Sequence, residues 1–143
     1  MQTSQVLQVL EFASNTKTPT LIWGKVGVGK NALVKQFAHS QDYSLSHFVH
    51  VMATHVLKAA TLHSVLPRDG NGIIFIDEFP SASDEAKDVI LSLVQNGRLD
   101  DYVLPAGWQI IAAGNESDRG NIPVPLRSHF LEITFDPQAA PKA

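Results

Sequence analysis

The sequence contains no cysteine, which rules out disulfides and thiolate metal sites. Charge is sparse as well: Asp, Glu, Lys and Arg make up 17% of the chain, and the formal net charge is −3. A protein built to grip a polyanion carries a basic excess, so nucleic acid is not indicated as a partner. No apolar run is long enough to cross a bilayer and the start does not resemble a secretory signal; the expectation is a cytoplasmic protein with no membrane partner. What is present is ordinary for a globular chain: 143 residues, 44% of them hydrophobic, enough for one buried core. The tail "DPQAAPKA", with its prolines and small residues, reads as disordered, giving a core over residues 1–135 and a tail over 136–143.

Short apolar runs alternate with segments of helical period, the signature of an α/β fold with a parallel sheet and helices on its faces. Five strands are expected: Thr20–Gly24, His47–Ala53, Gly72–Asp77, Trp108–Gly114 and Phe130–Phe135. The plainest helix follows "FPSAS", where Ala86, Val89, Ile90, Leu93 and Val94 form one apolar stripe. Ser81 or Ser83 can cap its start, and Gly97 suits the left-handed residue at its end. A second helix is expected from about Gly29 to His39, burying Leu33, Val34, Phe37 and Ala38, and an N-terminal one over Ser4–Ala13, burying Val6, Leu7, Val9, Leu10 and Ala13. Thr54–Leu66 is helical by propensity.

"TLIWGKVGVGKNALVKQF" is strand, glycine-rich loop and helix in that order, the context in which the pattern G-x-x-x-x-G-K carries a mechanism. Gly24, Gly27 and Gly29 permit positive φ and close approach of backbone amides to phosphate oxygens. The following helix offers its positive N-terminal end, and Lys30 offers a mobile ammonium. The bland alternative is a turn that merely joins strand to helix. Asn31 stands where such loops carry the Ser or Thr that ligates Mg²⁺; its amide oxygen lies one atom farther from the backbone. Nucleotide binding should therefore survive better than catalysis.

"GIIFIDEF" delivers Asp77 and Glu78 to the carboxyl end of a buried strand, where open α/β sheets bind ligands. Asp77 would hold Mg²⁺ and Glu78 would take a proton from, or orient, an attacking water; the alternative is a solvated acidic turn. "IIAAGN" repeats the arrangement with Asn115, either a phosphate-sensing amide or a turn former. Six histidines raise the question of a metal, but no H-E-x-x-H or comparable spacing accompanies them.

These residues together resemble the AAA+ ATPases and, within them, the MoxR-like group: "GKVGVGK" the Walker A loop, "IIFIDE" the Walker B strand, "AAGN" the sensor-1 strand end, and "NGRLDDYVLPAGWQIIAAGN" a hairpin insert with its following strand. The resemblance runs from about Thr18 to Phe135. It implies a three-layer P-loop NTPase fold whose parallel sheet is ordered 5-1-4-3-2 and a small β-hairpin insert. It also implies ATP or ADP with Mg²⁺ as ligands, self-association into a ring or assembly with another AAA+ subunit, and remodelling of an unidentified protein. By that resemblance Gly24, Lys25, Val26, Gly27, Val28, Gly29, Lys30 and Asn31 form the nucleotide loop, Asp77 and Asn31 the metal side, and Glu78, Asn115 and Arg127 the catalytic set. Within the insert, Tyr102, Leu104 and Trp108 either contact a partner or pack the hairpin down, and packing is the expectation.

Two departures from that pattern accompany Asn31. His129 occupies the place of the expected arginine finger, leaving Arg127 and Arg119 as substitutes; an imidazole lacks the planar fork of a guanidinium. A core without the helical lid and its second sensor arginine is the expectation, and "ATHVLKAATLHSVLP" lacks the acidic and arginine-containing pattern of the family. Two readings stay open: an ATPase (ATP + water to ADP + phosphate), or a catalytically weakened nucleotide-binding module.

Overall fold

β1, Thr20–Gly24, is buried at every position because it lies inside a parallel sheet and meets helices on both sides. The structure, a computed structural model, describes residues 1–56 and 58–137; most of the tail expected to be disordered lies outside the described residues. β1 pairs in parallel with β6, Gly107–Asn115, and with β7, Leu131–Thr134. On the far side of β6 lie β3, Asn71–Asp77, and the edge strand β2, Phe48–Met52, again parallel. The order is β2-β3-β6-β1-β7. Counting these strands along the chain and starting from the β7 edge, this is the expected 5-1-4-3-2.

Alternate residues of the strands serve two cores. Ile22, Ile73, Phe75, Ile111 and Ala113 face α1, Thr3–Thr16, and α2, Lys30–Ser40. Leu21, Trp23, Ile74, Ile76 and Ala112 face α4, Asp84–Asn96, and the short α3, Ala59–His63. The result is helices, sheet and helices in three layers.

The expected caps of α4 are present: the Ala86 amide donates to Ser83 Oγ at 3.1 Å, and Gly97 takes φ 67°. α2 buries the four residues expected of it. α1 runs beyond the expected Ser4–Ala13; it buries Val6, Leu10 and Ala13, while Leu7 and Val9 are half-buried. Thr54–Leu66 departs from expectation, being split into a 3-10 turn at Ala53–His55 and the single turn and a half of α3. Val56, Leu62 and Leu66 are all buried against the sheet, and satisfying all three overrides the helical propensity between them. Leu57 lies outside the described residues.

The hairpin insert is small. β4, Arg98–Leu99, pairs antiparallel with β5, Tyr102–Val103. It packs rather than projects its aromatics: Tyr102 and Trp108 are buried, with the Tyr102 hydroxyl donating to the Pro67 carbonyl and Trp108 Nε1 to the Asp69 carbonyl at 2.8 Å. A last short helix, α5, Val124–Arg127, leads into β7. Beyond β7, the Asp136 amide donates to the Met1 carbonyl at 2.8 Å.

Candidate functional site

The carboxyl ends of β1, β3 and β6 open onto one cavity of about 320 Å³. It is lined by Val26, Gly27, Gly29, Lys30 and Asn31 from the glycine-rich loop and α2, by Asp77 and Glu78 after β3, and by Gly114 and Asn115 at the end of β6. Three stretches far apart in the sequence thus converge, because parallel strands with crossover helices bring all their carboxyl ends to one edge.

The loop takes the shape its glycines allow, Gly27 at φ 79° and Gly29 at φ 94°. Gly29 precedes α2 without any side-chain cap, so the first-turn amides of the helix are available to an anion. Lys30 Nζ donates to the carbonyls of Gly24 and Lys25, each at 3.1 Å, folding back over the loop. Burial pushes its ammonium pKa below the ordinary lysine value, and the nearby Asp77 carboxylate offsets part of that shift. Gly24, Lys25 and Val28 do not line the cavity; Gly24 is buried at the end of β1, and the Val28 amide closes the loop on the Lys25 carbonyl at 3.3 Å.

Glu78 sits in the left-handed region at φ 55°, a conformation costly for a residue with a Cβ and found disproportionately at functional sites. Its amide donates to Asp77 Oδ1 at 2.9 Å, which holds the turn and leaves the Glu78 side chain exposed at the cavity. Asn115 is half-buried and opens the 3-10 turn Glu116–Asn121. Asp77 and Asn31 both line the cavity and carry hard oxygen donors, of the kind suited to Mg²⁺. Among the described residues no group of three or more His, Cys, Asp or Glu side chains forms a self-sufficient metal site, so a cation there would depend on water and phosphate ligands.

Arg127 and His129 do not join this cavity. Arg127 Nε lies 3.7 Å from Glu132 Oε1, and His129 is half-buried on the turn after α5. Arg119 is engaged elsewhere, donating from Nη2 to Thr134 Oγ1 at 3.0 Å with its guanidinium 5.0 Å from the centre of the Trp23 ring.

Sequence reasoning missed four contributors. Pro80, Ser81 and Asp118 also line the cavity, and His50 places Nε2 3.4 Å from Asp77 Oδ2. Asp118 carried a signal, being an acid three residues past Asn115, whereas His50 meets Asp77 only through the register that pairs Met52 with Asp77.

No curated protein matches the chain. Among solved structures, the RuvB Holliday junction branch migration motor of Thermotoga maritima aligns with TM-score 0.71 and 22% identity over 93% of this chain and 43% of that one. A mutant of RuvB gives TM-score 0.74 and 20% identity over 94% and 44%. A DNA polymerase III gamma subunit-related protein of Thermotoga maritima gives 0.62 and 10% over 99% and 47%. At these identities the likeness is one of fold, and the chain spans less than half the length of each. The family described as ATPase family associated with various cellular activities (AAA) matches residues 20–137. Since that match spans most of the chain and takes in every strand of the sheet, the chain belongs to the AAA family.

Proposed function

We propose that the chain binds ATP with Mg²⁺ in this cavity and hydrolyses it slowly, as a MoxR-like core that assembles with further copies or another AAA+ subunit to remodel a protein partner. The observation that carries this reading is the convergence of Lys30, Asp77, Glu78 and Asn115 on one cavity. The loop amides and the first turn of α2 would cradle the phosphates, and Lys30 would exchange the Gly24 and Lys25 carbonyls for phosphate oxygens. Mg²⁺, held through Asp77 and the Asn31 amide, would neutralise charge developing on the phosphoryl oxygens. Glu78 would take the proton of the water whose oxygen attacks the γ-phosphorus as the bond to ADP breaks, and Asn115 would orient that water or the γ-phosphate. Arg127, outside its own cavity, would act in that of a neighbouring copy. The likeness in fold to a branch migration motor does not carry that motor's substrate over to this chain.

A second reading, a weakened nucleotide-binding module, is favoured by Asn31 in place of a hydroxyl ligand and His129 in place of the expected arginine. A nucleotide titration with and without Mg²⁺, followed by phosphate release in the same sample, separates the two. Turnover abolished by Glu78→Gln supports the enzyme. Binding without release, with release gained in an Asn31→Thr, His129→Arg variant, supports the module. No binding at millimolar nucleotide overturns both.

A further inference from the structure

Trp23, the residue before the nucleotide loop, is fully buried, and its indole donates from Nε1 to Glu132 Oε1 at 2.8 Å. The same oxygen faces Arg127 Nε at 3.7 Å, close enough for charge pairing but too far for a hydrogen bond. Arg127 Nε is buried without a hydrogen-bond partner. Among the described residues no hydrogen bond engages the terminal nitrogens of Arg127 either, and neither of them is buried. The side chain, 19% exposed, is thus held at the root of its guanidinium by charge, with no hydrogen bond drawn from its two terminal nitrogens.

The contrast with Arg119 is informative. Its guanidinium lies over the Trp23 ring at 5.0 Å from the ring centre, and its Nη2 donates to Thr134 Oγ1 at 3.0 Å. Arg119, over the Trp23 ring, is hydrogen-bonded within the chain, whereas Arg127, which shares Glu132 Oε1 with the Trp23 indole, is only charge-paired. Glu132 alternates with Ile133 on β7, and Ile133 is buried on the α1 and α2 side, so Glu132 must stand on the opposite face, where Trp23 can fix it. The indole N–H removes the carboxylate's freedom to rotate onto Arg127 and form the short bidentate pair that would engage those terminal nitrogens.

We propose that Glu132, oriented by the Trp23 indole, is a positioning residue that aims Arg127 at phosphates held by a neighbouring copy of this chain. This rests on the reading of Arg127 as a residue acting in trans, and extends it to the residues that place it. Such a device lets one strand, β1, carry both the nucleotide loop of its own subunit and the support for the arginine offered to the next.

The test compares the wild type with Arg127→Ala, Glu132→Gln, Trp23→Phe and the Arg127→Ala, Glu132→Gln double variant. Two quantities are read: steady-state ATP hydrolysis, and self-association with ADP, Mg²⁺ and aluminium fluoride followed by sedimentation. Glu132→Gln should lower kcat roughly 10- to 100-fold, the cost of misplacing a reacting group by about 1 Å, with KM for ATP unchanged, and should weaken fluoride-dependent association. Trp23→Phe removes the indole N–H together with one of the two fused rings of a fully buried side chain; it should reproduce part of both losses, and denaturant unfolding of the same variant separates the lost hydrogen bond from the lost packing. In the Arg127→Ala background Glu132→Gln should cost nothing further. If Arg127→Ala leaves both readouts at wild-type level, or the wild type neither turns over nor associates, the trans reading fails and the inference with it. If Arg127→Ala is impaired while Glu132→Gln behaves as wild type, or Glu132→Gln costs as much without Arg127, then Arg127 acts and Glu132 does not position it.

Discussion

The imidazole of His50, on the edge strand β2, stands 3.4 Å from the carboxylate of Asp77, with its ring centred 5.2 Å from that of Phe75. The candidate metal ligand therefore already has a partner from its own chain, and a cation arriving at Asp77 must displace or share it. A partly exposed polar contact of this kind is worth up to ~1 kcal/mol, the side chains of His50 and Asp77 being 36% and 14% exposed. His50→Phe, which keeps an aromatic ring against Phe75, should accordingly lower the Mg²⁺ concentration needed for half-maximal nucleotide binding by up to roughly fivefold. A Mg²⁺ titration at fixed nucleotide measures it; an unchanged or higher requirement would mean that His50 does not compete for Asp77.

Lys30 gives a prediction in pH. Burial holds its pKa below the ordinary lysine value, with Asp77 acting in the opposite direction. The neutral amine therefore appears at lower pH in the folded protein than in the unfolded chain. Between the two values the unfolded state binds more protons, so this group's contribution to stability rises with pH there. Phosphate binding moves the other way, since it needs the ammonium, and nucleotide affinity should fall as pH rises through that depressed pKa. Lys30→Met should weaken binding by about 10- to 100-fold, the worth of a charged hydrogen bond of ~1.5–3 kcal/mol, and should flatten the alkaline dependence. An affinity that falls equally with pH in the variant would place the titration elsewhere.

Helix α4 tests the capping argument independently of the site. Ser83 Oγ accepts the Ala86 amide, and Asp84 and Glu85 follow in the first turn, where acids favour the helix dipole. Ser83→Ala should cost about 1 kcal/mol of unfolding free energy, read from denaturant unfolding, with nucleotide affinity unchanged. A loss of affinity at unchanged stability would show instead that this turn shapes the cavity.

Much of this arrangement was legible in the sequence because its determinants are local. The stripe on α4, the run Ile73–Ile76 ending in Asp77 and Glu78, and the spacing of Gly24, Gly29 and Lys30 each state their element within a few residues. What escaped depends on partners brought together by the sheet. His50 reaches Asp77 through strand register, Pro80 and Ser81 enter the cavity because the turn after β3 doubles back beneath Gly114, and Thr54–Leu66 yields its helix to the burial of Val56, Leu62 and Leu66. Arg127 carries a lesson of the same kind, since its being charge-paired without a hydrogen bond is a property of Trp23 and Glu132 rather than of "PLRSHF".

Gly114 connects packing to the site most directly. A Cβ at this position would lie 2.4 Å from Pro80 Cγ, 2.5 Å from Pro80 Cδ and 3.0 Å from Trp23 Cζ3. Proline has no alternative rotamer to retreat into, and Trp23 is fully buried, so neither neighbour yields without moving its backbone. Gly114→Ala should therefore destabilise the protein by about 1–3 kcal/mol, the usual cost of overpacking a close-packed interior. The strain should also reach function, because Pro80 belongs to the turn that follows Glu78 and Gly114 immediately precedes Asn115. Displacing either shifts the two side chains expected to handle the attacking water while leaving the loop around Lys30 in place. The expected outcome is a lowered melting temperature and a larger loss of turnover than of nucleotide affinity. Equal losses in both would mean that the shift passes through Trp23 into β1 and the nucleotide loop instead.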